Sequence, residues 1–117
     1  MLQKRMFVKI VFIFTAFVYF IPLVHANTED EKAFVIAKQN ACLGCHAVNK
    51  KIVGPSFQAV AEKYKSDTNA QAFLKSKIAK GGSGSWGVVP MPANTKLSDT
   101  DLTTLTSWIL RGAPNKN

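Results

Sequence analysis

The sequence predicts an all-α fold, and three observations carry that prediction. Four segments, near 27–41, 56–64, 69–80 and 98–111, repeat apolar residues at the three- and four-residue spacing of a helix face. The last of them opens on a capping pattern and closes on Gly112. No stretch of any length alternates with the period of two expected of a strand, and no internal repeat or second domain is visible.

Residues 1–26 read as a secretory signal peptide. Lys4, Arg5 and Lys9 make a basic start, Ile10 to Ile21 an uncharged apolar run, and Val24-His25-Ala26 a small-residue cleavage site. The competing reading is an uncleaved membrane anchor. Ile10 to Val24 is only 15 residues, short of the roughly 20 that span a bilayer. Cleavage after Ala26 leaves 27–117, which is 91 residues and one domain. Such a domain buries only about 60–65% of its unfolded surface, a marginal core unless something large fills it. Without Lys4, Arg5 and Lys9 the count is 12 Lys+Arg against 7 Asp+Glu, a formal +5 where the whole chain has +8. That charge suits steering towards an acidic partner surface. It does not suit nucleic acid, because Arg111 is the only arginine left and no basic stripe with interleaved aromatics exists.

Asn27-Thr28-Glu29-Asp30-Glu31 starts the first helix, with a cap and three acids where the helix dipole favours them. Phe34, Ala37 and Ala41 mark its apolar face, and it delivers the chain to Cys42-Leu43-Gly44-Cys45-His46. Two cysteines separated by two residues, with histidine directly after, are a c-type haem attachment pattern. The thiols lie about one turn apart and can each add to a vinyl group of one porphyrin, and the next residue places its imidazole under the ring. A thioredoxin-like redox pair and half of a zinc site share the Cys-x-x-Cys. The first lacks its strand–helix alternation, and the second lacks the remaining ligands. A disulfide between them would close a very small loop and add little.

Gly54-Pro55 marks a turn. A metal-bound imidazole donates its other N–H to a carbonyl or carboxylate, so the Pro55 carbonyl is a candidate acceptor, with a plain turn as the alternative. Two short helices follow, Ser56 to Tyr64 and Asn69 to Lys80, with apolar faces of Phe57, Val60, Tyr64 and of Phe73, Leu74, Ile78. The run Gly81 to Pro92 holds four of the seven glycines and cannot sustain a helix, but lets backbone approach a ligand closely. Trp86 and Val88-Val89 there argue for packing against a disordered linker, and Pro90 and Pro92 stiffen the presentation of Met91. In 27–117 His46 is the only histidine and Met91 the only methionine, which makes them the natural pair of axial iron ligands. A lone methionine is otherwise core filler. The last helix opens at Ser98-Asp99-Thr100-Asp101 and buries Leu102, Leu105, Trp108 and Ile109, with Arg111 in its last turn.

Taken together, Cys42-x-x-Cys45-His46, Val53-Gly54-Pro55, Trp86-Gly87, Pro90-Met91-Pro92 and the Trp-bearing C-terminal helix resemble the short bacterial class I c-type cytochromes, the cytochrome c-551 kind. The resemblance covers nearly all of 27–117. It implies four or five short helices around one haem c, with the terminal helices crossing. It implies thioethers from Cys42 and Cys45, iron ligation by His46 and Met91, and a Pro55 carbonyl accepting from His46. It further implies a Trp86 indole reaching a haem propionate. Where such proteins often carry a propionate-binding arginine this chain places Lys77, which rules out a bidentate clamp.

Six-coordinate His/Met iron has no open position for a substrate, so the expected function is periplasmic electron transfer and not catalysis. The expected partners are redox proteins such as a terminal oxidase, a nitrite reductase or a cytochrome bc-type complex, met by a monomer. They would dock on an apolar patch near Cys42 and Cys45 rimmed by Lys38, Lys50 and Lys51. The rival is a haem protein with labile Met91, acting as gas sensor or weak peroxidase. A further rival keeps the haem only as a staple of the fold.

Overall fold

The computed structural model describes residues 26–114, so the expected signal segment, but for Ala26, lies outside the described residues. Four α-helices follow one another: α1 (Ala26–Gln39), α2 (Phe57–Tyr64), α3 (Ala70–Lys80) and α4 (Asp99–Leu110). A single 3₁₀ turn, Cys42–Gly44, lies between α1 and α2. Among the described residues there is no strand, only two isolated pairs of bridging residues, His46 with Lys51 and Gly82 with Met91. The all-α class is thus as expected.

The helices start where the local chemistry dictates. Ser56 Oγ accepts from the Ala59 N–H at 3.0 Å and caps α2, and Ser98 Oγ accepts from the Asp101 N–H at 3.1 Å and caps α4. At α3 the cap comes from upstream: the Asp67 carboxylate accepts from the Asn69 N–H at 2.8 Å, and the Asn69 side chain makes no cap. The Asp101 carboxylate accepts from Ser98 Oγ, so the capping-box resemblance ends in a side-chain pair.

All three other helices pack on α4. It contributes Leu102, Leu105, Trp108 and Ile109 to the core, as its spacing predicts. Trp108 is fully buried. It meets Phe34 and Phe57 edge-on at 6.3 and 5.2 Å between ring centroids, and its indole N–H donates to the Pro114 carbonyl at 3.1 Å. Arg111 pairs with Asp30 across the terminal helices.

The apolar face of α1 differs from the expected Phe34, Ala37 and Ala41. The buried residues are Ala33, Ile36 and Ala37, with Phe34 only partly covered. Ala41 lies beyond the helix end, exposed and left-handed at φ 58°. Two small alanines let α1 approach α4 closely, and Ile36 supplies the bulk. Asn27 and Thr28, expected to cap α1, already lie within the helix.

Candidate functional site

The chain reverses between α1 and α2, and that reversal builds one wall of the site. Ala41 in the left-handed region stops α1, and the 3₁₀ turn follows at once. The Cys45 and His46 N–H groups both donate to the Cys42 carbonyl, at 3.2 and 2.9 Å. One turn therefore holds both thiols and the imidazole together, as the three-residue spacing predicts. Both cysteines are free and half-buried. Burial pushes the Cys42 thiol up, with a smaller contribution from neighbouring Cys45, partly offset by a hydrogen bond from its own backbone.

His46 is oriented from three sides. Its Nδ1 lies 2.7 Å from the Pro55 carbonyl oxygen. A carbonyl can only accept, so Nδ1 carries a proton, and in the neutral imidazole the lone pair is left on Nε2. Phe57 stacks on the imidazole at 5.5 Å and 15°. Gly54 closes the other approach: a Cβ on it would sit 2.4 Å from His46 Cε1. The Gly54 N–H donates to the Cys45 carbonyl at 2.8 Å, which holds the turn against the attachment segment.

Met91 stands on the segment following α3. It exchanges two backbone hydrogen bonds with Gly82, at 2.9 and 3.0 Å. Gly81, at φ 69°, permits this: a Cβ there would lie 2.4 Å from the Met91 carbonyl oxygen. On the same segment Lys63 from α2 donates to the Ser85 carbonyl at 2.6 Å and sits 4.4 Å over the Trp86 ring.

These parts enclose a cavity of about 460 Å³, inside the range of roughly 300–1,000 Å³ typical of small-molecule and cofactor sites. Cys42, Cys45, His46, Pro55, Lys77, Trp86 and Met91 all line it, so the fold brings every expected site residue to one place. Its apolar floor comes from Val60, Leu74, Ile78, Leu105 and Ile109. Lys77 is half-buried at the wall, its Nζ 6.0 Å from the Phe73 ring centroid. Among the described residues no three of His, Cys, Asp and Glu converge on a metal-sized point. Apolar walls, two thiols and one imidazole with a free nitrogen fit a flat, iron-bearing, vinyl-substituted ring.

The expected packing of Trp86 and Val88-Val89 is only partly found. All three are exposed, at 46%, 89% and 63%; Trp86 and Val89 nevertheless line the cavity, and Val88 does not. Sequence reasoning also missed Gly54, Phe57, Gly81 and Lys63 as site residues. Gly54 had a signal in the Gly-Pro turn. The contact of Lys63 with a residue 22 positions later had none.

The family model described as Cytochrome c matches residues 31–113. Cytochrome c-552 of Nitrosomonas europaea is 45% identical over 75 residues, 64% of this chain and 73% of that protein. Cytochrome c-551 of Pseudomonas aeruginosa is 41% identical over 76 residues, 65% of this chain and 72% of that one. The crystal structure of the Nitrosomonas europaea cytochrome superposes with a TM-score of 0.65 at 43% identity, covering 68% of this chain and 98% of that one. A class 1 cytochrome from Sideroxydans lithotrophicus superposes at 0.64 with 31% identity, covering 72% and 96%.

Proposed function

The chain belongs to the cytochrome c family, and on that premise we propose that it is a periplasmic one-electron carrier whose iron is ligated by His46 and Met91. Covalent haem c with its iron follows from the family, and so does electron transport with redox partners. Cytochromes c are electron carriers and not typically enzymes. Among the described residues no helix is long and apolar enough to cross a membrane.

The observation that carries the ligand reading is the His46–Pro55 hydrogen bond of 2.7 Å. It fixes the tautomer with Nε2 free, beside a cavity that Met91 also lines. Bound there, the iron supplies reversible one-electron chemistry between its ferrous and ferric states. The chain's own residues do the rest. Cys42 and Cys45 would hold the ring through thioethers to its two vinyl groups. The Pro55 carbonyl holds the His46 ring in one orientation. The Met91 thioether favours the ferrous state, and the apolar floor excludes water; both raise the potential. Trp86 and Lys77, on the same wall, are assigned to the propionates, Lys77 as a point charge and not a fork.

Residues 1–26 are assigned as the export signal, cleaved after Ala26, consistent with haem attachment outside the cytoplasm. Docking is assigned to the surface beside the cavity, where exposed Lys51 and Val53 line it and their neighbours Lys50 and Ile52 are exposed. An acidic partner with an apolar centre suits that surface, and the oxidases, nitrite reductases and bc-type complexes expected from the sequence are of the right redox class. The test is the visible spectrum of the exported protein. Sharp low-spin reduced bands and a weak near-red oxidised band are expected, with the near-red band lost in Met91→Ala. A high-spin spectrum shifting with carbon monoxide in the wild type would replace the carrier reading by the gas-binding or peroxidatic one.

A further inference from the structure

Two asparagines that are 54 positions apart join the haem-attachment segment to the methionine segment. Asn40 directly follows α1. Its backbone N–H and its side-chain Nδ2 both donate to the Ile36 carbonyl, at 3.1 and 2.9 Å. A carbonyl cannot donate, so Nδ2 must face Ile36 and Oδ1 is left to accept elsewhere. It accepts from Asn94 Nδ2 at 3.2 Å. The Asn94 amide is oriented independently, because its Oδ1 accepts from the Lys96 N–H at 3.1 Å. Its backbone N–H donates to the Ile78 carbonyl of α3 at 2.9 Å. Both side chains are half-buried. Cys42 Sγ lies 3.8 Å from the Asn40 carbonyl oxygen, so Asn40 stands beside an attachment thiol on one side and the methionine segment on the other.

From this geometry we propose that Asn40 is a positioning residue for Met91: its Oδ1 clasps Asn94, three residues after the ligand, and thereby sets how readily the thioether leaves the iron. The proposal rests on Met91 being an axial ligand. The physical need for a clasp is plain in the segment itself. Gly81, Gly82, Gly84 and Gly87 all adopt positive φ, a run with little intrinsic stiffness. The Gly82–Met91 pair and the Asn94–Ile78 bond tie the segment to itself and to α3. The Asn40–Asn94 bond ties it to the segment that carries the haem. Swinging Met91 out must break or strain that bond, so the bond holds the iron six-coordinate and closed to small ligands.

The test is the rate at which cyanide displaces the thioether from the ferric protein, read as loss of the near-red band. Asn40→Ala removes the acceptor and is expected to speed displacement about three- to tenfold, the worth of one part-buried hydrogen bond. Asn40→Asp keeps an acceptor for Asn94 but loses the donor to Ile36, and is expected to stay near the wild-type rate. Equal acceleration in both variants would reduce Asn40 to a helix cap and overturn the proposal, as would no change in Asn40→Ala. Asn94→Ala reads the same bond from its other end, and the double variant Asn40→Ala with Asn94→Ala is expected to be no faster than Asn94→Ala alone; additive rates would also overturn the clasp. Met91 amide hydrogen exchange should accelerate in parallel in Asn40→Ala. A wild type without the near-red band would overturn Met91 ligation itself, and the clasp with it, an outcome distinct from a wild type that has the band and variants that ignore Asn40.

Discussion

At the scale of single residues, the imidazole of His46 is gripped by groups that are small or rigid for a reason. Gly54 has no tolerance for a side chain, since its Cβ would overlap the ring at 2.4 Å from Cε1. Gly54→Ala is therefore expected to push the imidazole off the Pro55 carbonyl and cost about 1–3 kcal/mol, the usual penalty of overpacking, measured by guanidinium unfolding of the ferric protein. Gly44→Ala is the control. Nothing lies within 4 Å of a Cβ there and its φ is not positive, so its unfolding curve should stay within about 0.5 kcal/mol of wild type. The Pro55 contact was an open alternative in the sequence, because a turn and an acceptor read alike. The stacking of Phe57 on the same imidazole was not legible, since its helical spacing only marks it as core.

At the scale of elements, the ends of the helices decide where the site residues fall. Ala41 adopts φ 58°, a conformation that costs a residue with a Cβ about 1 kcal/mol or more. Ala41→Gly is expected to stabilise the protein by about 0.5–1 kcal/mol, seen as a rise of a few degrees in Tm. Ala113 is also left-handed at φ 50°, but fully buried. Ala113→Gly should gain the same relief and lose the packing of a buried methyl, leaving Tm nearly unchanged. The Ser98 cap of α4 is a stronger handle, because three helices lean on that element. Ser98→Ala should cost about 1 kcal/mol and lower Tm by roughly 4–8 °C. The cap of α4 and the stripes of α2 and α4 were legible because they are written within one or two turns. The face of α3 was read with Phe73, which is 38% exposed, where Ala70 is buried beside Leu74 and Ile78. The face of α1 was misread because alanines are nearly silent in a hydrophobic pattern, and only contact with α4 selects Ala33 over Ala41.

At the scale of the whole molecule, charge and shape meet at the cavity mouth. Lys65, Lys75 and Arg111 are spent on ion pairs with Glu62, Asp99 and Asp30. Exposed Lys50 and Lys51 directly precede the exposed Ile52 and Val53. The second-order rate of electron transfer to an acidic partner is expected to fall as ionic strength rises, because exposed charges are screened beyond about 10 Å at 0.1 M. Lys50→Glu with Lys51→Glu should lower the low-salt rate several-fold and flatten its salt dependence. Stopped-flow kinetics decide both, and a rate indifferent to salt would sink the steering argument.

What the sequence by itself determined is everything written over short distances. The Cys-x-x-Cys-His spacing, the lone Met91 between prolines, the Ser98 cap and the stripes of α2 and α4 need no tertiary information, because each acts within a turn or two of backbone. What only the tertiary structure decided are the meetings of distant segments: Lys63 with the Ser85 carbonyl, Asn40 with Asn94, and Arg111 with Asp30, 22, 54 and 81 positions apart. No local pattern encodes such pairs. They exist because α4 gathers the other helices on one core and so lays distant segments of the described residues beside one another around the cavity.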